Sequence, residues 1–179
     1  RKRIALDIGT WNNIFPDSDW STFNWRVAPR FRVNDKLMLT YVYSRQNVWN
    51  QRGWANSISD DEIIFGRRDV ITHTNVLSVN YIFTNRMGLT FKLRHYWSYV
   101  DYKEFYELGD EGDLLASDYE GFYEDGTSEH DRSFNAFTID MVYKWVFAPG
   151  SELSLVWKNA ISDDAEKLPS TFTDNFNRT

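Results

Sequence analysis

The 179-residue sequence has no cysteine, few prolines and glycines, and no long apolar run. Without cysteine there is no disulfide scaffold and no thiolate metal site. Such a chain is compatible with an oxidising compartment such as the bacterial periplasm or outer membrane. A helical membrane span needs about 20 consecutive apolar residues. Their absence excludes crossing by helices and leaves crossing by strands untouched. A basic excess is missing too: 20 Lys and Arg stand against 26 Asp and Glu, a net charge of −6. Nucleic-acid binders carry the opposite imbalance, so no nucleic acid is expected as a partner. The chain starts Arg1-Lys2-Arg3, with neither an initiator methionine nor a leader. The expectation is a mature or internal segment of something longer.

What the sequence has in quantity is aromatics, 17% of residues, at a mean hydropathy of only −0.55. Alternation reconciles the two. Met87, Leu89, Phe91, Leu93, His95, Trp97 and Tyr99 alternate with Gly88, Thr90, Lys92, Arg94, Tyr96 and Ser98. A period of two marks a β-strand with one apolar and one polar face. Seven such segments can be read, at about 2–12, 21–33, 36–48, 70–84, 87–103, 133–147 and 151–161. Asn34-Asp35, Asn85-Arg86 and Ala148-Pro149-Gly150 predict tight turns. Residues 13–20, 49–69 and 104–131 read as long polar loops, and the 162–179 tail, with Phe172 and Phe176, as the start of a further strand. Short turns at one end and long loops at the other are the pattern of an outer-membrane β-barrel. The predicted fold is therefore all-β: an antiparallel transmembrane β-barrel filling 1–179 as one domain. It is present in part, as about seven to eight strands of a larger barrel, because seven is odd and an open edge in lipid leaves backbone groups unpaired. The competing fold is a soluble β-sandwich. Pro29, which cannot donate to a ladder, predicts a local bulge or a missing bond.

On this reading the apolar parity faces lipid and the polar parity a lumen. The lumen-facing charges are Arg26, Arg30, Arg32, Lys92, Arg94, Lys144 and Lys158, with Asp140 and also Asp7 and Glu152 on the same face. They either pair across strands and hold a filled lumen together or line a charge-selective pore. Phe31, Phe83 and Phe147 before the tight turns, and Phe23, Trp97 and Tyr99 toward the loops, form the two aromatic girdles. His95 shares the parity of Phe91 and Trp97, which predicts a place near that belt.

No catalytic set is selected. There is no G-x-S-x-G elbow, and His73, His95 and His130 lack metal-ligand spacing. Residues 104–131 hold eleven acids and no Lys or Arg. Asp110, Glu111, Asp113 and Asp118 raise the question of calcium but do not follow the EF-hand pattern. A solvated loop is the plainer reading. Loop tyrosines, with Trp49 and Trp54, offer stacking surfaces for a glycan at the outer loops. No cofactor or metal is expected, and whether the chain is an enzyme stays open.

Two stretches carry a resemblance. One runs from Arg68-Asp69-Val70 through Tyr81-Ile82-Phe83-Thr84-Asn85-Arg86-Met87-Gly88-Leu89 to Arg94-His95-Tyr96-Trp97-Ser98. The other runs from Tyr143-Lys144-Trp145-Val146-Phe147-Ala148-Pro149-Gly150-Ser151-Glu152-Leu153 through Trp157-Lys158. They resemble the C-terminal barrel, a domain of unknown function, of a family of Bacteroidota surface proteins. The resemblance covers most of 60–179 and, more loosely, 1–59. Many members look as if they carry a sandwich similar to a carbohydrate-binding module before the barrel and continue beyond Thr179. The sequence departs from that pattern at both ends, which supports the expectation of a fragment, and the family offers no catalytic residues to carry over. The implied protein is an outer-membrane component of the bacterial envelope, structural or transporting, with its substrate unknown. Its partners would be the lipid bilayer and lipopolysaccharide, with other envelope proteins as further candidates. The alternatives are an accessory barrel subunit of a larger envelope complex and a secreted soluble glycan-binding sandwich.

Overall fold

The computed structural model describes residues 3–16, 19–59 and 62–165. They form one antiparallel sheet: β1 (Ile4–Phe15), β2 (Trp20–Arg32), β3 (Leu37–Ser57), β4 (Ile63–Thr84), β5 (Met87–Leu108), β6 (Leu114–Ala116), β7 (Arg132–Ala148) and β8 (Ser151–Ala165). The spatial order is β1-β2-β3-β4-β5-β7-β8, with short β6 set against β5. Among the described residues there is no helix, and the sheet is open. β1 pairs only with β2, and β8 only with β7. Residues 3–11 therefore make no ladder with 152–160.

The tight turns are where the sequence places them. At the first, the Asn34 side-chain oxygen accepts the backbone N–H groups of Lys36 (2.8 Å) and Leu37 (2.9 Å), closing the β2–β3 hairpin. At the last, Gly150 takes φ +76°, a left-handed conformation glycine adopts without cost. At Pro29 the β1 side pairs without a break, through Leu6. On the β3 side, pairing runs to Val27↔Tyr43 and resumes at Arg30↔Thr40 in unchanged register. The outcome is a gap in one ladder and no bulge, as expected where an N–H is lacking.

The three polar stretches are not the loops the sequence suggests. β1 and β2 run on to Phe15 and Trp20, whose rings stack at 4.4 Å, leaving four residues between them. Most of 49–69 is strand, because β3 and β4 continue to Ser57 and from Ile63. In 104–131, β5 extends to Leu108 and β6 folds back on it. β4 and β5 have 22 residues each, about 70 Å of extended chain. Register shifts between Val48 and Gln51, between Trp54 and Asn56, and at Arg67/Arg68 break the period of two, so alternation loses phase just there. Of the tail, 162–165 lies in β8, while Phe172 and Phe176 lie outside the described residues.

Register unites the seven apolar parity sets on one face. Ile4, Phe31, Leu39, Val79, Phe91, Met141 and Trp157 form one continuous row across the sheet. Toward the tight turns lies the row Leu37, Tyr81, Leu89, Tyr143, Leu155; away from them lies Leu6, Pro29, Tyr41, Leu77, Leu93, Ile139. Strands pack mainly on their ladder neighbours, with few contacts across them such as Phe83 to Tyr143, and among the described residues no second sheet lies on this apolar face. Ile8 is 68% exposed and Trp157 48%. No closed core between two sheets exists among the described residues.

A small core sits at the long-loop end, where Ala55, Ile64, Tyr102 and Phe105 are buried, with Val100 and Tyr119 against them. The backbone must come close here. A Cβ on Gly121 would lie 2.6 Å from the Phe105 ring, and one on Gly66 2.3 Å from Tyr102.

Candidate functional site

The polar face carries the charges. Register puts Arg26, Arg30, Arg32, Lys92, Arg94, Asp140, Lys144 and Lys158 on it together, with Asp7 and Glu152. Three ion pairs form: Arg30–Asp7 at 3.0 Å, Arg94–Asp140 at 2.8 Å and Lys144–Glu152 at 2.9 Å. Asp140 also stands directly opposite Lys92 on one side and Lys158 on the other. No ion pair reaches Arg26, Arg32, Lys92 or Lys158 among the described residues. Of these ten charged residues seven are cations and three acids, although the chain as a whole is acidic. The acids concentrate at the long-loop end. The three pairs are largely exposed, so water screens them and they add little to stability. Charge excess on this face matters more than its pairing.

The polar face is also concave. Trp11 on β1 and Tyr96 on β5 border a single cavity of about 280 Å³, together with Asn24, Ser44, Gln46 and Thr72. Three strands separate them, and on a flat sheet they would stand about 19 Å apart at 4.8 Å per strand. They meet at one cavity only if the sheet curls toward its polar side.

On the apolar face, the rows farther from the tight turns change character. Tyr43, Asn75 and His95 share one row; Trp25, Arg45, His73, Trp97 and Asn135 share the next. They are wired by hydrogen bonds. The Tyr43 hydroxyl meets His73 Nδ1 at 2.8 Å, and Tyr41 donates to Asn75 Oδ1 at 2.5 Å. The Asn75 amide donates to His95 Nδ1 (3.2 Å), which leaves the His95 proton on Nε2 for Asn135 Oδ1 (2.8 Å). The His73 ring stacks on Trp97 at 4.9 Å, and Trp97 Nε1–H donates to Ser133 Oγ. Both rings and Asn135 are buried. His95 thus lies in an aromatic and amide belt, one row from Trp97 and two rows from Tyr99. Phe23 shares the Tyr99 row through Asn47 and Ile71. Near the tight turns, Phe83 makes edge contacts with Tyr81 and Tyr143, and Phe147 packs on Trp145. Phe31 sits two rows farther in, level with Phe91.

At the long-loop end, residues 117–131 are a folded cover, not the solvated loop the acid count suggests. Asp131 accepts the N–H groups of Tyr102 (2.8 Å) and Ser128 (3.1 Å), and the Ser128 hydroxyl donates to the Gly121 carbonyl (2.9 Å). Tyr119 bonds Glu129, His130 and Asn56 at once. Hydrophobic packing on Phe105 is what overrides the charge. Asp110, Glu111, Asp113 and Asp118 form no cluster able to hold a metal with a third ligand among the described residues. Trp54 and Tyr123 remain exposed, and Trp49 partly so.

Acid should loosen this cover. Arg67 grips Glu104 through two contacts, at 2.7 and 3.1 Å, and with Tyr106 holds its carboxyl at about 2. A depressed carboxyl stabilises above its unfolded value, and that gain is lost as pH falls toward 2. Burial pulls His130 below the ordinary histidine value, so folding increasingly opposes its protonation once pH drops under about 6.5. Asp131, raised by burial, acts in the opposite sense just above its ordinary value. Amide protection at 119–131 is expected to fall from pH 7 to pH 4 while that of β7 and β8 holds. Equal protection at both pH values would contradict these assignments.

The sequence did not single out the Tyr43–His73 and Asn75–His95–Asn135 bonds or the Trp11–Asn24–Tyr96 cavity. The available signal was the polar residues Arg45, Asn47, His73, Asn75 and Asn135 at apolar parity, which fall level once register is known.

A family model described as a domain of unknown function, DUF5916, matches residues 1–179. The chain belongs to this family. No curated protein and no solved structure matches it. Membership spans both the sheet and the loop-end cover, and it assigns no chemistry to either.

Proposed function

We propose that this sheet is a wall segment of an outer-membrane β-barrel, a structural or transport component of the bacterial envelope. One observation carries the reading: an apolar face seven strands wide with no second layer on it, backed by a concave polar face rich in charge. In water such a face would drive association; in a bilayer it is the lipid surface. The apolar rows between Phe83 and Leu77 belong to the hydrocarbon core, and the Tyr43–Asn75–His95 and His73–Trp97 rows to an interfacial belt. Phe83, Trp145 and Phe147 form the opposite girdle. The open edges of β1 and β8 close through strands outside the described residues, since unpaired edges are costly in lipid. The cations then line the lumen, and the extended hairpins and the 117–131 cover stand outside, where lipopolysaccharide and glycans are met. A secreted sandwich would require a second sheet on the apolar face, and the described residues supply none.

The test is partition. The chain, refolded from denaturant with lipid vesicles, is expected to float with them and to resist carbonate extraction. A monodisperse chain without detergent that stays out of the vesicles would overturn the proposal.

A further inference from the structure

The concave face has a feature that barrel architecture does not require. Trp11 and Tyr96 stand there 50% and 39% exposed, bordering the same 280 Å³ cavity, with Phe134 edge-on to Tyr96 at 6.0 Å. Between them the wall is neutral: Asn24, Ser44, Gln46, Thr72 and Thr74. Arg45 also borders the space, but register turns its side chain to the apolar face, where it bonds Asn47. Asn24 is the second, independent observation. It is only 3% exposed, and its amide makes no side-chain hydrogen bond among the described residues. Among the described residues the buried side-chain groups left unpaired are Trp20 Nε1 and Thr22 Oγ1, so the Asn24 amide is not sealed off and stays open to a guest's hydroxyls in the cavity that it lines. Ser44, Gln46 and Thr74 likewise make no side-chain hydrogen bond among the described residues.

From this we infer a binding site for a small neutral saccharide on the concave face. Two ring platforms can stack on the C–H faces of a sugar, while amides and hydroxyls donate to and accept from its hydroxyls. The side chains that line it from the concave face are uncharged, which favours a neutral ligand over an anionic one. A cavity near the lower limit of ligand sites, about 300 Å³, restricts the guest to a monosaccharide or disaccharide unit. Arg26, in register with Ser44 on the concave face, does not border the cavity. The inference goes beyond the barrel proposal and stands on the concave face alone.

Saturation-transfer NMR on the sugar protons tests it, with the full chain in detergent micelles and maltose, glucose or glucuronate as probe. Because the ligand is observed, removing a tryptophan does not remove the reporter. Maltose or glucose should show saturable transfer with millimolar affinity. Trp11→Ala and Asn24→Ala should each weaken it at least tenfold, and Trp157→Ala, on the opposite face, should leave it unchanged. Trp11 is half exposed, so its loss does not threaten the fold. No transfer at concentrations on the order of 0.1 M, equal loss in Trp157→Ala, or binding of glucuronate in place of the neutral sugars would overturn the site. A chain that binds maltose yet stays out of vesicles would support this site and contradict the membrane reading, so the two fail separately.

Discussion

Phe91→Arg is expected to destabilise the inserted sheet by about 2–4 kcal/mol, the cost of a cation at mid-depth on a barrel's lipid face. Phe91 is the central member of the row Leu39–Val79–Phe91–Met141–Trp157, flanked by apolar rows on both sides. No acid lies on this face at that level, so the guanidinium would have no partner and would have to reach about two rows to the belt. Thr90→Arg, one residue away on the concave face, should cost little, because that side already carries Lys92 and Arg94. Urea titrations of both variants in vesicles give the comparison. Equal costs would mean that the two faces are not solvated differently.

Ile64→Ala should cost about 2–5 kcal/mol, a range set by how far the site collapses around the lost volume. Ile64 is 1% exposed and is the largest fully buried side chain among the described residues. Its neighbours Ala55, Tyr102 and Phe105 form the only buried apolar cluster described. The loss should be local: residues 117–131 lose protection while the rows around Phe91 keep theirs, because the two regions share no packing. Hydrogen exchange resolved by residue distinguishes this from global unfolding, which would show a uniform fall and contradict the separation of cover from sheet.

How far the sequence could be read follows from the same separation. From Leu77 to Leu93, and from Phe137 to Trp157, one side is uniformly apolar and the other polar, so the period of two survives and register follows. The three tight turns were legible because Asn34, Asn85 and Gly150 are turn residues for local reasons. Beyond Val48, Asp69 and Lys103 the strands continue, but neither face is uniformly apolar and the register shifts reset the phase, so strand reads as loop. Tyr96 was visible as a residue of the polar parity. Its meeting with Trp11 and Asn24 was not, because it depends on the pairing of five strands and on curvature. The acidic stretch misled for a physical reason: most of its charges point outward, Asp131 is buried as a backbone acceptor, and Phe105 and Tyr119, few in number, decide the packing.

The central claim is that one face meets lipid and the other water, and the absence of cysteine makes it directly measurable. Single cysteines placed in turn at 89 through 94 of the vesicle-inserted chain, labelled with a membrane-impermeant maleimide, should react at 90, 92 and 94 and stay protected at 89, 91 and 93. Uniform labelling of all six positions, or the inverse pattern, would contradict the account.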